Sequence, residues 1–99
     1  MSLSVTEAAL LAKALSDPNR LWILSEIASR KELFVGELGA CRVISNASVS
    51  HHLRVLTQAG LITFRRSGKH LFYRLVSTRL VEYSRFVSTL SETGSNGLG

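Results

Sequence analysis

The apolar spacing of this chain changes period at a single glycine, and no other feature limits its fold as tightly. Before Gly60, the residues Val49, His52 or Leu53, and Leu56 recur at helical intervals. After it, Ile62 and Phe64, then Leu71, Tyr73 and Leu75, alternate as strand residues do. A helix over residues 45–59, opened by Ser45 as N-cap and stopped by Gly60, is therefore expected to feed a β-hairpin over 61–66 and 69–75 with its tip at Ser67-Gly68.

The elements around this unit follow from caps and stripes. A first helix over 4–15 starts with a capping box, Ser4 and Glu7, and carries Val5, Ala8, Leu11 or Ala12, and Leu15 on one side. Pro18 sits at the first position of a second helix reaching about Arg30, with Leu21, Leu24, Ile27 and Ala28 inward and Trp22 and Ile23 widening the stripe. Trp22 reads as core packing. Residues 35–41 have room for two turns, with Val35 and Leu38 inward. A short helix joined by a tight connection to a longer one is the outline of a helix-turn-helix. A last helix over 78–90 sets Leu80, Tyr83, Phe86 or Val87, and Leu90 on one side. Residues 91–99 read as a flexible Gly/Ser tail. The expected architecture is mainly α with a small β-hairpin (α+β): about five helices and two strands in one domain over 1–90, with no internal repeat.

Composition bounds what such a domain can do. A chain of 99 residues, 45% hydrophobic and 19% charged, supports one modest globular core and no separate scaffold for a large active-site cleft. Its one cysteine, Cys41, can form neither an internal disulfide nor a thiol cluster for zinc, which points to a reducing, cytosolic setting. The N-terminal residues lack the basic-then-apolar order of a secretory signal, and no run approaches the roughly 20 apolar residues of a membrane span. A soluble, cytoplasmic protein with no membrane partner and no cofactor is expected.

The net charge of +5 favours a polyanionic partner, and its placement says more than its size. Residues 38–81 contain no Asp or Glu but hold Arg42, Arg54, Arg65, Arg66, Lys69, Arg74 and Arg79, a net +7. The rest of the chain carries five basic and seven acidic groups, a net −2. The basic block coincides with the second half of the helix-turn-helix and the hairpin. On the 45–59 helix, Ala47, Ser48, Ser50, His51, Arg54, Thr57 and Gln58 lie opposite the apolar stripe. Small residues near the N-terminus with donors and acceptors beyond them suit a helix that enters the major groove, and its free N–H groups suit a phosphate. Ser45, Asn46, Ala47, Ser48, Ser50, His51 and Arg54 are the candidate contacts, Arg54 to a guanine edge or to a phosphate. The hairpin tip adds Arg65, Arg66, Ser67, Gly68, Lys69 and His70, which could lie over the minor groove or the flanking backbone. The competing reading of both sets is a solvated polar face.

The segments ALSDPNRLWILSEI, SNASVSHHLRVLTQAGLI and RRSGKHLFYRL resemble the ArsR/SmtB winged helix-turn-helix repressors over about residues 14–75. The resemblance implies a recognition helix opening near Ser45 and a homodimer joined through the first and last helices, so that Val5, Ala8, Leu11, Leu15, Leu80, Tyr83, Phe86, Val87 and Leu90 become interface candidates. It also implies a cytoplasmic bacterial or archaeal repressor that leaves a double-stranded operator when a signal arrives. Two departures bear on that signal. Many members carry a Cys-Val-Cys pair in a segment of the form ELCVCDL; here the segment is ELFVGEL, with Phe34 and Gly36 at the thiolate positions. Others use a last helix bearing His and Asp; here LVEYSRFVSTLSE offers Glu82 and Glu92 but no histidine. Neither familiar metal site is expected, and the inducer is not identified by the sequence. Cys41 is a candidate redox sensor, since Arg42 beside it favours thiolate, against the alternative of a buried space-filler. His52 reads as a core or interface histidine, and His51 and His70 as groups on the DNA side.

The leading expectation is thus a dimeric, sequence-specific DNA-binding regulator. The alternative is a winged-helix protein-interaction module without base readout. An enzyme is the remotest reading, because the basic block has no carboxylate pair and the chain shows no nucleophile–base arrangement.

Overall fold

A computed structural model describes residues 3–40 and 45–98. Among the described residues, four α-helices and three short strands follow one another as α1 (Val5–Ala14), α2 (Pro18–Ala28), β1 (Leu33–Phe34), a 3-10 helix (Val35–Ala40), α3 (Asn46–Gln58), β2 (Ile62–Ser67), β3 (His70–Leu75) and α4 (Ser77–Leu98). The caps read from the sequence are present. Ser4 and Glu7 form the reciprocal capping box of α1; Asp17, which the sequence reading does not name as a cap, accepts through Oδ1 from the backbone of Asn19 and Arg20 at the start of α2. Ser45 Oγ accepts from the Ser48 N–H at 3.1 Å to open α3.

Gly60 ends α3 with φ +79°, the left-handed conformation that a side chain disfavours. The Gly60 N–H donates to the Thr57 carbonyl and the Leu61 N–H to that of Leu56, a Schellman arrangement that turns the chain straight into β2. At the hairpin, Ser67 pairs with His70, so the two-residue loop is Gly68-Lys69, with Gly68 at φ +61°.

The core lies where α1, α2, α3 and the sheet meet. Leu11, Ile23, Ile27, Leu33, Leu56 and Leu61 are fully buried there. Four sequence expectations are corrected. The short element before α3 is a 3-10 helix rather than an α-helix. The sheet has three strands, ordered β1-β3-β2, because Leu33 and Phe34 pair with Tyr73 and Phe72. A two-residue strand carries no periodicity by which to recognise it. In α2 the inward residues are Ile23, Leu24 and Ile27, while Leu21 is exposed; that helix is apolar around much of its circumference, so spacing alone did not fix its phase. The last helix, expected to end at Leu90, continues through Leu98, and Thr93 Oγ1 donates a hydrogen bond to the Thr89 carbonyl within it. Among the described residues, no helix is long and apolar enough to cross a membrane.

Candidate nucleic-acid interface

The core fixes which side of α3 is offered to solvent. Val49, His52, Leu53 and Leu56 are buried, as the helical spacing requires, and Asn46, Ala47, Ser50, His51, Arg54 and Gln58 are exposed on the other side. Ser45 and Ser48 differ from the other candidates. The Ser45 hydroxyl caps the helix and donates to Ser48 Oγ at 3.0 Å, so both hydroxyls are engaged within the first turn. Arg54 has no hydrogen bond or ion pair with a side chain among the described residues.

One buried polar group attaches α3 to the rest of the domain. Arg20 reaches from α2 to the C-terminal end of α1, donating from Nε to the Ala14 carbonyl at 2.7 Å and from Nη2 to that of Lys13 at 3.1 Å. Its Nη1 lies 3.4 Å from His52 Nδ1. A guanidinium can only donate, so this contact requires a lone pair on Nδ1, hence a neutral ring with its proton on Nε2. Asp17 Oδ1 stands 4.0 Å from that nitrogen. Burial pushes the His52 pKa below its ordinary value, opposed by Asp17 and reinforced by Arg20 and His51. Nothing in the sequence pattern marks Arg20 or Asp17 as partners of a histidine more than thirty positions away.

The wing sorts its cations by face. Strand alternation and the β2–β3 register put Arg65 beside Phe72 on one face and Arg66 beside Leu71 on the other. Leu71 and Tyr73 of the Arg66 face line a cleft with Ser50 and Leu53 of α3, to which Phe34, Lys69 and His70 also contribute. Arg65 is engaged elsewhere. Its Nε and Nη2 donate to the two carboxylate oxygens of Glu32 at 2.7 and 2.9 Å, and its guanidinium lies 4.7 Å from the centre of the Phe72 ring. The paired guanidinium holds the Glu32 carboxyl below the usual carboxylate range. Arg79, also in the acid-free stretch, is tied to Glu82 at 3.2 Å and to Glu7 of α1 at 3.5 Å. A segment without acids in sequence thus acquires them in space. Arg54, Arg66, Lys69 and Arg74 make no ion pair among the described residues; Arg74 lies close enough to Glu32 for its charge to help lower that carboxyl's pKa, which leaves Arg54, Arg66 and Lys69 as the uncommitted basic set. His70 packs edge-on against Phe34, ring centres 4.6 Å apart, rather than extending from the tip.

The two residues at the thiolate positions, Phe34 and Gly36, fit each other. An added Cβ on Gly36 would lie 2.6 Å from the Phe34 ring, so that ring fills the space a side chain at 36 would take. Among the described residues, no three His, Cys, Asp or Glu side chains gather as metal ligands. Cys41 and Arg42 lie outside the described residues.

On the opposite side of the domain, α1 and α4 enclose a shallow apolar groove of about 270 Å³ lined by Val5, Ala8, Ala9, Ala12, Tyr83, Phe86, Val87 and Leu90. Six of the nine interface candidates meet there. Leu11 does not, being fully buried in the chain's own core, and Leu15 and Leu80 pack half-buried against that core.

Comparison with known proteins gives a consistent picture. A helix-turn-helix domain family matches residues 15–64. The chain is 39% identical over 75 residues to a transcriptional repressor SmtB homolog of Synechocystis, covering 76% of this chain and 56% of that protein, so it spans little over half of that relative's length. It is 34% identical over 86 residues to the transcriptional repressor SdpR of Bacillus subtilis, covering 87% of this chain and 94% of the relative. Among solved structures, an ArsR-like transcriptional regulator from Rhodococcus superposes with a TM-score of 0.83 at 25% identity, covering 94% of this chain and 87% of that one.

Proposed function

Because the chain belongs to the ArsR/SmtB family of winged helix-turn-helix transcriptional regulators, we propose that it acts as a homodimeric repressor whose two α3 helices enter successive major grooves of a palindromic operator. That the protein is a DNA-binding transcriptional regulator follows from its family; the dimer, the operator symmetry and the contact residues are the proposal.

The observation that carries it is the exposed face of α3. Asn46, Ala47, Ser50, His51 and Arg54 stand clear of the core with no carboxylate among them, and the uncommitted Arg66 and Lys69 flank them on the wing. Ala47 and Ser50 let the helix approach base edges closely, Asn46 and His51 offer hydrogen bonds, and Arg54 supplies a bidentate donor for guanine or phosphate. Arg66 and Lys69 supply phosphate charge. The α1/α4 groove supports the dimer: Val5 and Leu90 are 74% and 59% exposed in the single chain, an apolar pair that a second copy would cover. Two-fold pairing through those helices would set the recognition helices about one turn of DNA apart, roughly 34–36 Å. A protein in this role works in the cytoplasm, beside its operator, and needs no catalytic group.

The test is binding to promoter DNA upstream of candidate target genes, measured against random-sequence duplex over a range of salt. Affinity for the operator should fall steeply as salt rises. Arg54→Ala should lower specific affinity by about 1–3 kcal/mol, while leaving binding to random duplex far less affected. Equal affinity for operator and random DNA at every salt concentration would overturn the reading.

A further inference from the structure

We propose that Glu32 and Arg65 form a positioning clamp that fixes the angle of the wing, and that Arg65 is thereby withdrawn from the DNA contacts although it sits in the basic block. The inference rests on the reading of α3 and the wing as a DNA interface, and it changes which wing cations belong to that interface.

Glu32 stands just before β1, and Arg65 lies 33 positions later in β2, with β3 between the two strands. Their contact therefore spans the whole width of the sheet. Both carboxylate oxygens are used, at 2.7 and 2.9 Å, in the bidentate geometry that makes arginine–carboxylate pairs directional. The guanidinium plane also rests on Phe72, whose ring packs in turn against Phe34, centres 5.7 Å apart. Phe34, Phe72 and Arg65 are cross-strand neighbours in one row of the register, so ring, ring and guanidinium form a continuous layer on the outer face of the sheet. Each side chain is thus held from two directions, which an isolated surface ion pair is not.

The same row explains why Arg65 is a poor phosphate contact. It lies on the opposite face of the wing from Leu71 and Tyr73, and it does not line the cleft beside Ser50 and Leu53 of α3, although Phe34 and His70 of its own face do. Reaching a phosphate would require breaking two hydrogen bonds and leaving Glu32 without its partner next to a polyanion. Arg66 and Lys69 have no such tie. The clamp holds their strand ends at a fixed distance from α3, so Glu32 acts on DNA binding through the wing without touching DNA.

Two measurements on the whole protein test this. In the free protein, Glu32→Ala and Arg65→Ala should each speed amide hydrogen exchange of the β2–β3 strands by about two- to fivefold, the double variant no more than either single one, and Lys69→Ala should leave these rates unchanged. On random-sequence duplex, the slope of log affinity against log salt should be unchanged in Arg65→Ala, should shrink by about 0.9 in Lys69→Ala, and should steepen in Glu32→Ala, where Arg65 is released. The charge-exchanged double variant, Glu32→Arg with Arg65→Glu, should restore wing protection and keep the wild-type slope. A slope loss in Arg65→Ala equal to that in Lys69→Ala would make Arg65 a phosphate contact and end the proposal, as would wing exchange rates indifferent to all these substitutions. If the wild-type protein bound no DNA, the interface reading would fall, and the exchange rates would decide the clamp alone.

Discussion

Helix α3 and the wing, the two elements we propose to meet DNA, are held in opposite ways. Helix α3 is fixed from beneath by apolar burial and one neutral histidine, which leaves its outer face, Arg54 included, unengaged. The wing extends beyond the core; β2 keeps only Ile62 buried, and it is braced from its outer face by a charged pair resting on aromatic rings. The helix can therefore present Asn46, Ser50, His51 and Arg54 freely, whereas the wing uses part of its charge on itself. Formal charge in a segment overstates the charge available to a partner wherever the fold brings acids from elsewhere, as Glu32 and Glu7 are brought to Arg65 and Arg79.

The difference can be broken most forcefully from the helix side. Leu56 is fully buried beneath α3, and Leu56→Ala should cost about 2–5 kcal/mol of global stability in urea unfolding, by lost transfer energy and the cavity left behind. A cost close to that of a surface substitution would show that α3 is not anchored by the core. A smaller effect tests the junction between the two regions. Gly60 at φ +79° forms the turn from α3 to β2, and Gly60→Ala should cost about 1–2 kcal/mol, because alanine is strained in that conformation. The nearest atoms to an added Cβ would be Nε, Cγ and Cδ of Arg79, at 3.4, 3.8 and 3.9 Å, ordinary contacts, so strain rather than clash should set the size. A neutral result would mean that the turn relaxes to another conformation.

What the sequence made legible follows the same division. Helix α3 could be read almost residue by residue, since its stripe, its Ser45 cap and its Gly60 stop are all local signals. The hairpin register was legible to within one residue for the same reason. The brace of the wing was not, because β1 is too short to show a period and the Glu32–Arg65 contact links positions 33 apart. Nor was the phase of α2, where Leu21 and Ile23 are equally apolar and only packing chooses between them. Leu11 was assigned to a second copy because an apolar stripe does not say which of its members the chain's own core will take. For the candidate site, the exposure of the α3 residues was legible from their spacing, whereas the contacts of Arg65 with Phe72 and of His70 with Phe34 were not.

The smallest expected effect separates the two regions by pH. His52 has a pKa lowered from about 6.5, chiefly by burial, so just below that pH the unfolded chain binds more protons than the native state. Stability is accordingly full above about pH 6.5 and declines as pH falls toward the native-state value, with Nδ1 gaining a proton that points at the Arg20 guanidinium. Glu32 is the opposite kind of group. Its carboxyl is held below 4.5 mainly by its hydrogen bonds to Arg65, so the wing brace stays intact until pH falls well below that value. Between about pH 6.5 and 5, protection factors corrected for the intrinsic pH dependence of exchange should therefore fall for α3 amides and stay level for the β2–β3 strands. His52→Gln should flatten the α3 response without altering that of the wing. A parallel decline in both regions would mean that they open as one unit, and that helix and wing are not held independently.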